Sequence, residues 1–339
     1  MGTEAITEAR EQRASGETQW FTAWLSGFLL VVNGLMIWLA QQRRLLGPEF
    51  VAAAFCLTCY LACFFLLGHR PVQGWLTSRV DQNRHSIWAL LGVLLAPYLI
   101  YLAGTASFDW LAFAKFCLYL ALPASLLTAQ TGQGNPSWQD AAAILALWLP
   151  LDFRWMKDVW GWPRHSLAYS MNSLLATCAA AFLFVCVRQL KDVGYEYRLD
   201  WRTVWIGTRN FLLFAPLAIP IGLMTGFIAV SESSGRVWEL LLSAVGIFVL
   251  IAIPEELLFR GLIQNLLGKW LRPVPTLIVA SVIFGAAHLN NGPRPDWRYF
   301  LLASIAGIFY GNAYYQTRNL LAPAITHSLV DAVWRAFFS

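Results

Sequence analysis

The chain has 339 residues, of which 58% are hydrophobic and only 13% charged, with a mean hydropathy of +0.54. A soluble domain keeps about a quarter of its residues charged, so this composition excludes an ordinary water-soluble fold. The net charge of +5 is distributed over short segments between apolar runs. No arginine-rich tract with interleaved aromatics points to a nucleic-acid partner.

Met1–Gln19 is polar, with Glu4, Glu8, Glu11 and Glu17 against Arg10 and Arg13. A secretory signal opens with a basic region, so this segment reads as a short disordered or interfacial tail. Beyond it, apolar runs long enough to cross a bilayer recur to the C-terminus, a crossing helix needing about 20 such residues. They cover Phe21–Ala40, Phe50–Leu67, Ile87–Ala103, Leu111–Leu127, Leu167–Val187, Ile206–Val230, Leu240–Leu267, Thr276–Leu289, Tyr299–Tyr314 and Leu320–Phe337. The expected fold is therefore all-α, a polytopic transmembrane bundle of about ten helices, with the lipid bilayer as partner.

Ala141–Leu149 stops at Pro150 and is either a short span or a re-entrant piece, which leaves the parity of everything before it open. Asp152–Pro163, rich in Trp, reads as an interfacial connection, with substrate contact as the alternative. Arg188–Trp205 carries the densest basic group, Arg188, Lys191, Arg198 and Arg202. The positive-inside rule places it in the cytoplasm, followed by the turns at Lys269/Arg272 and Arg318. Arg43/Arg44 and Arg70, Arg79 and Arg84 read as basic loops on both sides of one span, so the overall orientation stays open. All six cysteines lie in apolar stretches and read as packing residues rather than disulfides. Pro216 and Pro220 are expected to interrupt one helix. Three regions follow: the tail 1–19, a helical region 20–205 of unknown role, and a helical bundle 206–339.

That last region concentrates the intramembrane ionisable groups Glu255, Glu256, Arg260, His288, His327 and Asp331. Such groups are costly in lipid, by about 3 kcal/mol each on insertion scales, and are functional candidates by default. Glu256 and Arg260 stand four apart with the acid first, the favoured order for a helical ion pair. Glu255 lies about 100° around the helix from its neighbour, so one carboxylate is structural and the other available. Phe284 precedes His288 by four residues, letting the ring pack under the imidazole, and His327 and Asp331 repeat the spacing. Glu255 and His288 each stand about 25 Å along their helices from the turn at Arg272, which predicts a common depth. Ala303, Gly307 and Gly311 form a ridge that permits close helix contact.

The ordered set Glu-Glu-x-x-x-Arg at 255–260, Phe-x-x-x-His at 284–288 and His-x-x-x-Asp at 327–331 resembles the CAAX-processing and bacteriocin-processing (CPBP) intramembrane glutamate proteases, which include the type II CAAX prenyl endopeptidases. The resemblance spans Leu240 to Phe337; nothing in Met1–Trp205 adds to it. It implies an intramembrane endopeptidase of the cell (inner) membrane that acts on a peptide or protein substrate without a cofactor. Glu255 and His288 would activate water, and His327 and Asp331 would stabilise the oxyanion, with Glu256, Arg260 and Phe284 as structural support. An ionised Asp331 only accepts hydrogen bonds, so it would orient or charge His327 as the donor, or act as the protonated acid. Two readings stand beside this one. Glu255, His288 and His327 match a His₂Glu zinc set, and buried carboxylates also serve as proton relays in transporters or persist in scaffolds. Oligomeric state is not legible.

Overall fold

The computed structural model describes residues 2–130, 135–231, 243–291 and 294–338, with the backbone alone for 2–15. Among the described residues the fold is all-α. Its first half comprises α1 (Gly2–Gln42), α2 (Pro48–Leu67), α3 (Arg70–Gln82), α4 (Ser86–Thr105), α5 (Trp110–Thr128), α6 (Trp138–Asp152) and α7 (168–187). Its second half comprises α8 (Trp201–Met224), α9 (243–267), α10 (Pro273–Ala287), α11 (Trp297–Thr317) and α12 (Leu321–Phe337). Six of the described helices are long and apolar enough to cross a membrane. Exposed tryptophans mark both ends of the bundle, Trp138, Trp201 and Trp270 at one end and Trp110 and Trp297 at the other, as interfacial anchors do. The chain is a multi-pass integral membrane protein.

Several helix starts follow directly from sequence. Asp109, Ser137, Asp200 and Asp296 each cap a helix by accepting a backbone amide proton, and Ser137 with Asp140 forms a reciprocal capping box. Hydrogen bonds from Thr203 hold the Asp200 carboxyl below the usual carboxylate range. At Asp296 the Arg298 side chain does the same.

The sequence expectations need adjusting at five places. The polar tail does not stand apart as an irregular segment, because α1 already begins at Gly2. Arg70 and Arg79 belong to α3 rather than a loop; its moderate polarity hides it from a search for apolar runs. α8 starts at Trp201, five residues before the expected span, and ends at Met224. Pro216 and Pro220 sit inside it without breaking it. Residues 240–242 of the expected Leu240–Leu267 span lie outside the described residues. Most consequential is α6, which runs 15 residues with Pro150 in its last turn. Its first turn meets Arg188, at the end of α7, through the buried Asp140 at 2.8 Å. The loop after it reaches the C-terminal end of α4, where Tyr101 donates to the Trp162 carbonyl at 3.0 Å. α6 therefore joins opposite ends of the bundle, and the parity left open by the sequence is fixed.

Two faces result. One carries α3, the 188–200 connection, the 268–272 turn and Arg318. The other carries the loops 106–109, 153–167 and 225–231 and residues 288–291 and 294–296. The connection is tied into both halves: Tyr195 donates to the Phe64 carbonyl at 2.9 Å, and Asn265 donates to the Lys191 carbonyl at 2.7 Å. Between α10 and α11 the small-residue ridge brings backbones together. A Cβ added at Gly307 would stand 2.9 Å from Ser281 Cα, so only glycine fits there.

Candidate active site

α9 departs from regular α-winding at the residues that matter. Pro254 has no N–H, so the Leu250 carbonyl four residues back loses its helical donor. Ser173 of α7 supplies one, its hydroxyl donating to that carbonyl at 2.8 Å. On either side the helix widens to π-type turns, at 248–252 and 257–264, a form that recurs at functional sites. Pro254 and Ser173 thereby place Glu255 and Glu256 between α7, α10 and α12.

Glu256 is fully buried and spoken for on both oxygens. Arg260 Nε donates to Oε2 at 2.9 Å, and His327 Nδ1 donates to Oε1 at 2.9 Å. Arg260, also fully buried, lies over the Phe284 ring at 5.0 Å and the Tyr310 ring at 5.8 Å. The predicted Glu256–Arg260 pair is present. The orienting contact on His327, however, comes from Glu256 rather than from Asp331, whose Oδ2 stands 3.9 Å from His327 Nε2. Asp331 is one turn further along α12, and ordinary helix geometry leaves it beside the imidazole instead of behind it.

His288 does not sit within its helix as expected but caps its end. Its Nδ1 lies 2.8 Å from the Phe284 carbonyl. A carbonyl only accepts, so Nδ1 carries a proton, and Nε2 is the ring nitrogen that faces Glu255. Phe284 packs against the imidazole with centroids 4.5 Å apart. Glu255 Oε2 is buried without a hydrogen-bond partner and stands 3.9 Å from His288 Nε2 and 3.9 Å from His327 Nε2. One carboxylate oxygen is thus equidistant from two imidazole nitrogens. Glu255, His288, His327 and Asp331 all line one cavity of about 600 Å³. The six ionisable groups and Phe284 come together as one cluster. Among the described residues no group of three or more His, Cys, Asp or Glu is arranged to hold a metal ion.

Some members of this cluster escaped the sequence reading. Tyr310 stacks on His327, with centroids 4.8 Å apart and planes at 18°; it sits between Gly307 and Gly311, a large ring on a ridge of small residues. Tyr299 meets His288 edge-on at 5.0 Å. From the N-terminal half, Asp152, Arg154, Lys157 and His165 line a cavity of about 510 Å³ together with Glu255 and His288. A third, mostly apolar space, walled by Phe211, Phe214, Phe227 and Trp334, also reaches His288, His327 and Asp331.

Residues 237–333 match the family model described as type II CAAX prenyl endopeptidase Rce1-like. This segment is similar to that family. The chain is also 29% identical over 176 residues to the uncharacterised protein YpbD of Bacillus subtilis (strain 168), covering 48% of this chain and 85% of that protein. No solved structure matches. The Rce1-like segment contains all four residues of the 600 Å³ cavity singled out above. The 153–167 loop, which lines the second cavity, lies outside it.

Proposed function

We propose that the protein is a metal-independent intramembrane endopeptidase in which Glu255 is the general base. The observation that carries this reading is the position of Glu255 Oε2, buried, unpartnered and 3.9 Å from His288 Nε2. Two acceptors at that separation suit one water donating a proton to each, which leaves its own lone pair free to attack. The water oxygen adds to the substrate carbonyl carbon while its proton passes to Glu255. The oxyanion forms beside His327, whose Nδ1–H is already held by Glu256. As the imidazolium, its Nε2–H donates to the developing charge. Glu255 then returns the proton to the leaving nitrogen, the C–N bond breaks, and a carboxylic acid and an amine result. Asp331, beside His327 Nε2, helps retain the imidazolium.

The Rce1-like segment supports a CAAX-type protease, and the apolar cavity walled by Phe211, Phe214, Phe227 and Trp334 suits the lipid-like part of such a substrate. Residues 206–339 form the catalytic bundle, and 20–205 the bundle that positions loop 153–167 against it. The face bearing Arg188, Lys191, Arg198, Arg202, Lys269, Arg272 and Arg318 is placed in the cytoplasm, so the site opens towards the opposite side.

Termini of membrane peptides and proteins compared between wild-type cells and cells carrying Glu255→Gln test the assignment. The variant keeps the shape of the side chain and loses the proton acceptor. The expected outcome is full-length substrate accumulating at wild-type enzyme levels; identical termini in both cells sink the reading. The zinc reading of Glu255, His288 and His327, which their arrangement does not favour, has a direct test. Cleavage by purified protein should survive chelation, and one zinc per chain lost together with activity would decide for the metal.

A further inference from the structure

The loop between α6 and α7 is built as a fixed platform, and among the described residues its cations Arg154, Lys157 and Arg164 form no ion pair, the first two lining a cavity. Trp160 is fully buried among Tyr60, Tyr98, Tyr101 and Phe116, and its indole N–H donates to Asn172 at 2.7 Å. Asn172 in turn donates to the Met156 carbonyl at 3.2 Å. Arg154, Arg164 and His165 all have positive φ, at 56°, 50° and 61°, a conformation uncommon for residues other than glycine. Within this loop Asp158 pairs with Lys115 at 3.7 Å, and Asp152 interacts with the Trp148 side chain. Arg154 and Lys157 form no ion pair among the described residues, and both line the cavity that ends at Glu255 and His288. The apolar cavity, walled by residues of α8, α11 and α12, shares His288 with it.

We infer that Arg154 and Lys157 form a substrate-binding subsite that receives a carboxylate of the peptide on the side of the scissile bond facing the 153–167 loop. This rests on the protease reading. A substrate that runs from the apolar cavity past Glu255 emerges beneath these two cations. A peptide's own anionic groups are carboxylates, belonging either to its C-terminus or to an Asp or Glu side chain. The pair selects and positions such a substrate without taking part in bond cleavage.

The experiment uses the full-length protein in lipid nanodiscs and internally quenched peptides of apolar sequence in three forms: free C-terminal carboxylate, C-terminal amide, and amide with one internal Glu. Arg154→Gln/Lys157→Gln is compared with wild type. Both side chains are exposed, so the melting temperature should not move. For carboxylate-bearing peptides KM should rise by about tenfold or more with kcat unchanged, and the uncharged amide should be unaffected. Which of the two carboxylate forms responds identifies the source. Arg154→Glu/Lys157→Glu should reverse the preference towards peptides bearing Lys. Equal losses on all three peptides, or none, overturn the subsite and leave the protease reading intact. Binding of the same peptides to Glu255→Gln separates the two ideas. Carboxylate-dependent binding that requires Arg154 and Lys157, with no cleavage by wild type, would uphold the subsite and remove the protease. Neither binding nor cleavage removes both.

Discussion

Replacing Arg260 by alanine strands Glu256 as a buried charge whose remaining partner is His327. Breaking a buried pair in this way costs about 3–5 kcal/mol. Because Glu256 holds Arg260 with one oxygen and His327 with the other, the effect should reach beyond stability. Arg260→Ala is expected to lower the melting temperature sharply, and whatever folded protein survives should show a reduced kcat as His327 loses its fixed orientation. Thermal unfolding in detergent and single-turnover cleavage measure the two effects. A variant as stable as wild type would show that the pair contributes little. The Glu256–Arg260 contact was legible in sequence because it lies within one helical face. The Glu256–His327 contact was not. Its partners are 71 residues apart, on helices whose relative rotation is set by packing rather than by spacing. Tyr310 escaped for the same reason: nothing local distinguishes an aromatic that stacks on a distant imidazole from one that faces lipid.

At the scale of elements, the close approach of α10 and α11 is what holds His288 at its depth. Gly307 faces Ser281, and Phe284 and His288 follow Ser281 at three and seven residues along α10, on the same side. Gly307→Val should cost about 1–3 kcal/mol by overpacking and reduce cleavage beyond what the lost stability explains, because α10 moves away with His288 on its end. Gly34, which has nothing near its missing Cβ, serves as the control, and valine there should be tolerated. Helix positions were largely readable from apolar runs, since a bilayer imposes a minimum length. α3 was missed because its mixed composition matches no such run. α8 was misplaced because its first turn, Trp201 to Trp205, carries Arg202 and reads as loop, although Asp200 caps it. α6 could not be assigned as a crossing from its own residues; only its contacts with Arg188 at one end and the Trp162 segment at the other decide it.

At the scale of the whole molecule, the crossing of α6 makes every loop position predictable. Single cysteines placed at Asn290 and at Lys269, in a background lacking the native six, should label from opposite sides of intact cells or oriented vesicles. Asn290 is expected to react with an impermeant maleimide from outside, and Lys269 only after permeabilisation. The reverse pattern would invert the molecule and place the site on the cytoplasmic side. Labelling of both positions from one side would contradict α10 as a crossing.

The two shortest helices beside the cluster have a consequence for the surrounding lipid. α6 and α10 have 15 residues each and, at about 1.5 Å per residue, reach roughly 22 Å, whereas the hydrocarbon core is about 30 Å thick. α10 ends at His288, and Trp148 of α6 packs on Phe259, just beyond Glu255. Local thinning of the bilayer against this flank is one way to match them. Thinning draws headgroups and water inward on the side where Glu255 and His288 sit, and on the proposed reading it would supply the water for hydrolysis without a long aqueous channel. Cleavage rates measured in vesicles of phosphatidylcholines with increasing acyl length should therefore fall as the chains lengthen, while the fraction of folded protein stays constant.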